Sequence, residues 1–157
     1  MSEAVQTVAR RVDEQCYTTN YRKEGCSISM SGVPADRVVI DLDCGTLQLH
    51  DTPRCDFLFV GADSDGTRVA PIELKNGRFS GSKVADQLQG GADAADGWLP
   101  SECSFRFVPV LVHGKRVHKR ELKSLRNRKI KIRNQEKQTV LIRCGAPLMS
   151  ALRVGER

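Results

Sequence analysis

CDFLFVGADSDGTRVAPIELKNG, residues 55–77, decides the fold. Its two apolar runs, Phe57 to Val60 and Val69 to Leu74, are short and rich in β-formers, so each reads as a strand (55–60 and 68–75). The stretch between them carries Ser, Asp and Gly, the residues of a tight turn. Two registers suit that turn. Centred between Ser64 and Asp65, paired residue numbers sum to 129 and Asp56 faces Glu73. Centred on Asp65-Gly66, the sum is 131 and Asp56 faces Lys75. Both put Asp56, Glu73 and Lys75 on one face, because alternate strand residues share a face. A slip of one residue would send Asp56 to the other side.

Working outward, RVVIDL (37–42) reads as a further strand, and Cys26 to Met30 alternates like one. Leu47 and Leu49 mark a short strand after the turn at Asp43. At the N-terminus, Val5, Val8, Ala9 and Val12 form one stripe of a helix over 3–14 that Ser2 would cap. Beyond Lys75, Ser80 or Ser82 starts a helix to about Ala95, with Val84, Leu88 and Ala92 inward and Gly97 as its stop. Gly90-Gly91 inside this helix costs about 1 kcal/mol per glycine, which implies close backbone packing or an early end. FRFVPVLV (105–112) is the next strand, followed by a short basic helix at 119–127 with Leu122 and Leu125 inward. The end reads as a hairpin of KIKIR (129–133) and QTVLIR (138–143), turned at NQEK. The expected fold is therefore a single α/β domain over 1–157: a core at about 3–112 around a central mixed sheet, then a basic C-terminal extension at 113–157.

The 157 residues, 39% hydrophobic and 28% charged, suffice for one core and exclude a disordered chain. No apolar run approaches a membrane span, and residues 1–14 hold no leader-like apolar stretch, so the cytoplasm is the expected location. Six cysteines at irregular spacing, none in a CxxC pair, are expected there as reduced, mostly buried thiols without zinc. His50-Asp51 lacks a partnered nucleophile and reads as loop, and Trp98 as a core plug. The net charge of +6 is uneven: residues 115–133 carry about +9 and leave the remainder near −3. Such a block suits either a polyanionic partner or a solvated face. Alternation of Ile130 and Ile132 with Lys129, Lys131 and Arg133 would put those cations on one exposed face, as tracking a phosphate backbone needs.

Two neighbouring carboxylates repel unless a cation lies between them. Mg²⁺ accepts one or two carboxylates and keeps waters, and it can activate water and polarise a phosphodiester. A lysine beside it can orient that water. An ExK triplet by itself is much better explained by a surface salt bridge between Glu73 and Lys75, with Asp56 a turn-proximal acid.

The arrangement Asp56…Pro71-Ile-Glu73-Leu-Lys75, on adjacent strands followed by a helix, resembles the PD-(D/E)xK nuclease superfamily. The resemblance covers about two-thirds of the chain and implies a restriction-endonuclease-like αβββαβ core. Asp-Gln-Leu-Gln-Gly-Gly-Ala (86–92) is similar to the QxxxY motif of the exonuclease branch, with Gln87 at the glutamine position and Gly91 in place of the tyrosine. Cys55 stands where the family's proline precedes the aspartate. The resemblance implies Mg²⁺ or Mn²⁺ on Asp56, Glu73 and the Leu74 carbonyl, with Lys75 orienting the attacking water and Gln87 supporting the site. It leaves a further acid to choose among Asp13, Glu14, Glu24, Asp41 and Asp43. The expected activity is metal-dependent hydrolysis of phosphodiesters, in DNA before RNA. Lys115, Arg116, Lys119, Arg120, Lys129, Lys131 and Arg133 would hold the backbone, and a second copy of the chain is a further partner. The alternative is a non-catalytic nucleic-acid-binding or regulatory module on the same fold.

Overall fold

The computed structural model describes residues 1–49, 51–114 and 116–154. In chain order the elements are α1 (Glu3–Arg11), β1 (Arg22–Lys23), β2 (Cys26–Ser27), β3 (Asp36–Asp41), β4 (Phe57–Asp63), β5 (Gly66–Lys75) and α2 (Gly81–Trp98). There follow β6 (Arg106–Phe107), β7 (Val110–His113), α3 (Lys119–Arg126), β8 (Ile130–Ile132), β9 (Gln135–Lys137), β10 (Val140–Arg143) and α4 (Leu148–Val154). The central sheet runs β10-β7-β5-β4-β3, with β6 also on β5. β3, β4 and β5 are antiparallel, whereas β5–β7 and β7–β10 are parallel, so the chain forms one α/β unit around a mixed sheet.

Strand alternation divides the core. Val38, Ile40, Leu58, Val60 and Val69 meet Val5 and Val8 of α1 and Val84, Leu88 and Ala92 of α2. Val39, Phe57, Phe59, Ile72 and Val110 meet Ile28 and the α4 residues Leu148 and Leu152 on the other face. β4 and β5 pair from Phe57↔Ile72 to Asp63↔Gly66, the register in which residue numbers sum to 129.

Several local expectations are corrected. α1 ends at Arg11, because the Asp13 side chain accepts from Gln15 N–H and starts a separate 3-10 turn, Glu14–Cys16. The expected strand at Leu47 and Leu49 is a 3-10 turn over Gly45–Leu47, and the strand at Cys26 stops at Ser27. α2 passes through Gly97 to Trp98, capped at Ser80. The strand at 105–112 breaks into β6 and β7. Pro109 and Pro71 hold the same level in that ladder, and neither has an N–H to give. At the C-terminus β8 pairs with β9 within NQEK itself, turning at Arg133 (φ 53°), while QTVLIR supplies β10 at the edge of the main sheet. α4 was not expected from the sequence. Leu125 is buried and Leu122 half-buried, and Trp98 packs partly buried against the core, as expected.

The cysteines are corrected most. Cys16–Cys44 and Cys26–Cys144 are disulfides, while Cys55 and Cys103 are free. Their partners lie 28 and 118 residues apart in sequence, and it is the fold that brings them together.

Gly90 and Gly91 have the expected packing role. A Cβ on Gly90 would collide with the Pro53 carbonyl, and one on Gly91 with Cys55 Sγ. The helix backbone thereby seats the segment that presents Asp56. Gly90→Ala is expected to lower stability by about 1–3 kcal/mol through overpacking, despite alanine's better helix propensity. Gly97, whose added Cβ meets nothing within 4 Å, is the control: Gly97→Ala should be neutral or stabilising. Urea denaturation of both variants checks this.

Candidate active site

Asp56 occupies the bend entering β4, and Glu73 and Lys75 close β5. One step beyond the last ladder pair, Asp56 stands opposite Glu73. Asp56 Oδ2 accepts a hydrogen bond from the Leu74 N–H at 2.8 Å. In an extended strand the N–H and C=O of one residue point to the same edge, so the Leu74 carbonyl also projects toward Asp56, past the end of β4. Lys75 Nζ lies 3.0 Å from Glu73 Oε2. The structure thus brings together three of the four expected catalytic residues with the Leu74 backbone.

Electrostatically the site is under tension. Glu73 is 2% exposed, and burial, then the Asp56 charge, push its carboxyl from 4.5 up to about 8 against the pull of Lys75. Asp56 is also raised, first by burial, although the Leu74 N–H holds it back. The two carboxyls face each other closely enough to share a proton, which holds Asp56 down and pushes Glu73 up. A raised acid favours folding fully below its unfolded value and loses that contribution as pH rises through the folded one. The metal-free protein is therefore expected to lose melting temperature from about pH 5 to about pH 8. A divalent cation held by the pair would replace the shared proton, and Mn²⁺ would then raise the melting temperature more at about pH 8 than at about pH 6. An equal shift at both values would remove the cation from this pair.

Among the described residues no three His, Cys, Asp or Glu side chains gather as metal ligands. The donor set is two carboxyls and one carbonyl, which fits a Mg²⁺ ion that keeps several waters. Gln87 supplies a second fitting observation. Its Oε1 is buried without a hydrogen-bond partner. Gly91 of α2 lies over Pro71, and α2 runs back along β5. One helical turn earlier, about 5.4 Å, corresponds to about two strand residues, which sets Gln87 level with Glu73. Gln89, by contrast, is structural: its amide bonds both N–H and C=O of Lys131 and ties β8 to α2.

Of the candidate additional acids, Asp43 acts on the Asp56 carboxyl, and it also pairs with Lys23 and Arg54. Asp13 and Glu14 lie near Tyr17 instead. Cys55 is buried as expected, but on the α2 side with Glu73 rather than on the opposite face. Its position in the bend before β4 breaks the alternation, and burial and the Glu73 charge hold its thiol well above the usual range. Lys23, 3.4 Å from Asp41 and within the field of Asp56, is a site cation that sequence reasoning missed. Nothing in the segment 16–36 signalled that the β1–β2 hairpin would bring it there.

The expected backbone-binding residues separate. Arg116, Lys119, Arg120, Lys129 and Lys131 are exposed, with Lys131 paired to Glu136. Arg133 leaves the expected cationic face: it bonds Asp96 and the Pro100 carbonyl, because the left-handed turn folds its side chain back onto the end of α2. Lys115 and His50 lie outside the described residues.

Comparison with protein-family models, with curated proteins and with solved structures returns no match. The class the fold defines is an α/β protein with a mixed sheet and, at one strand end, a carboxyl pair of buried Glu73 and half-buried Asp56. No described helix is long and apolar enough to cross a membrane.

Proposed function

We propose that this protein is a metal-dependent nuclease of the PD-(D/E)xK kind, hydrolysing phosphodiesters in DNA, with Mg²⁺ or Mn²⁺ as its cofactor. The observation that carries the reading is the Asp56–Glu73 carboxyl pair, Glu73 buried and Asp56 half-buried, with the Lys75 ammonium 3.0 Å from Glu73. Such a pair resists holding two charges without a cation and sits beside a mobile proton donor on the same face. Asp56, Glu73 and the Leu74 carbonyl would hold the ion. When bound, the ion supplies an activated water and charge neutralisation at the phosphodiester. Lys75 donates hydrogen bonds that orient the water and meet charge growing on the phosphoryl oxygens. Gln87 is a positioning residue, and the buried surroundings of Glu73 keep bulk water from its carboxyl.

A second reading, a non-catalytic nucleic-acid-binding module, draws on the Lys75–Glu73 ion pair, which satisfies both side chains without any metal. Gel assays on linear, nicked and branched DNA across a Mg²⁺ and Mn²⁺ titration separate the two. Cleavage abolished by chelation supports the nuclease. Binding without cleavage under every metal condition supports the module.

A further inference from the structure

Beyond Lys75 the sheet continues a row of basic side chains. The parallel registers set Lys75 beside His113 and His113 beside Arg143. Directly registered residues share a face, and one step back the same row is Glu73, Leu111 and Leu141. Leu111 is core on the α2 side and Leu141 packs against that core, so Lys75, His113 and Arg143 face α2 with Glu73. Adjacent strands lie about 4.8 Å apart, so the row runs about 10 Å from Lys75 to Arg143 along the strands' C-terminal ends.

That edge opens into a cleft of about 970 Å³. His113 and Arg143 line it from the sheet, Asn76 and Arg78 from the start of the β5–α2 loop, and Arg116 and His118 from the β7–α3 loop. Among the described residues no acidic side chain lines it. Arg78, Arg116 and Arg143 are exposed and make no ion pair among the described residues, unlike Arg128 and Arg133, which pair with Asp86 and Asp96. Three unneutralised guanidiniums around one concavity form a site for oxyanions. Among the described residues the lining holds no Phe, Tyr or Trp to act as a base-stacking platform.

We infer that this cleft binds the phosphates of one nucleic-acid strand on the Lys75 side of the carboxyl pair, without reading bases. The inference rests on the nuclease reading in taking Glu73 and Lys75 as the reacting end. Lys75, His113 and Arg143 lie in a row one strand wide, and the row leads from the candidate site into the cleft. Arg78, His113 and Arg143 are thereby assigned a binding role that the sequence placed on the basic block, of which Arg116, Val117 and His118 line this cleft among the described residues.

The test uses the full chain, oxidised, in EDTA, so that cutting does not enter. A labelled single-stranded oligonucleotide of about 12 nucleotides is titrated by fluorescence anisotropy over a range of salt. Arg78→Ala/Arg116→Ala/Arg143→Ala should lower the log–log salt slope by about 2, near 0.7 for each lost contact, and weaken binding at least tenfold. The matching triple lysine variant should keep most of the slope. Arg10→Ala, on the exposed side of α1, should change neither. An unchanged slope in the triple alanine variant overturns the inference and moves the strand to α3 and the β8–β9 hairpin. Inorganic phosphate at matched ionic strength tests the source of the anion. If it displaces the strand no better than chloride, strand phosphates are the ligand. If the three arginines prove necessary for inorganic phosphate but not for the strand, the cleft is a free-phosphate site and the inference fails. A wild type that binds through these arginines yet cuts under no metal would refute the nuclease reading and leave this one standing.

Discussion

Lys75→Ala is expected to lower turnover by about 10²–10³-fold, the usual size of a lost electrostatic stabiliser at a reacting centre. The ammonium lies 3.0 Å from Glu73 at the half-open end of a buried pair, 29% exposed, so it can reach a bound water or scissile phosphate that Glu73 cannot. Nucleic-acid affinity in the absence of metal should change little, because one phosphate contact is a small part of a multi-arginine surface. The loss should appear in kcat, as it does when an interaction is made in the transition state rather than the ground state. One complication is predictable. Lys75 also draws the Glu73 carboxyl downward, so its removal strengthens the proton's hold and weakens metal binding near neutral pH. Lys75→Ala should therefore be assayed at saturating Mn²⁺ and at about pH 9, where that secondary effect fades and the loss in turnover persists. Full recovery at high pH would make Lys75 a charge balancer for Glu73. Equal cleavage by wild type and variant under all conditions would remove Lys75 from the chemistry. Asp56→Ala should instead weaken metal binding, with partial rescue by excess Mn²⁺.

Breaking the Cys26–Cys144 disulfide should be the largest stability effect. Closing a loop of 118 residues restricts the unfolded chain by about 5 kcal/mol in the chain-entropy account, and the 28-residue Cys16–Cys44 loop by about 3.6 kcal/mol. Cys26 and Cys144 sit in the core face that α4 covers, so the bond also pins the end of β10. Urea denaturation of Cys26→Ser/Cys144→Ser against oxidised wild type measures the loss, and reduction of wild type should reproduce most of it. Alkylation of the unfolded, unreduced chain should mark two cysteines, Cys55 and Cys103, and six after reduction. Six marked cysteines without reduction would restore the reduced-thiol expectation.

The sequence by itself determined the elements that carry local periodicity: α1, α2, β3, and the β4–β5 hairpin, with its register narrowed to two. Alternating burial around a Ser-Asp turn admits two pairings, and both keep Asp56, Glu73 and Lys75 together, so this cluster was legible without coordinates. The glycine pair in α2 likewise announced a close approach, since nothing local offsets its helical cost. Tertiary structure alone decided the rest. Whether QTVLIR pairs with KIKIR or joins the sheet depends on a vacant edge at β7, which no local pattern encodes. The disulfides depend on Cα atoms 5.5 and 5.1 Å apart, reached through long-range packing rather than spacing. Arg133 reads as a surface cation until a left-handed turn brings it onto Asp96. Lys23 comes to the carboxyl pair from the separate β1–β2 hairpin, and His113 and Arg143 join the Lys75 row from β7 and β10 by strand registry across the main sheet. Side-chain type and period are local properties of a chain, whereas the charge around a buried pair is a sum over neighbours that only folding brings together.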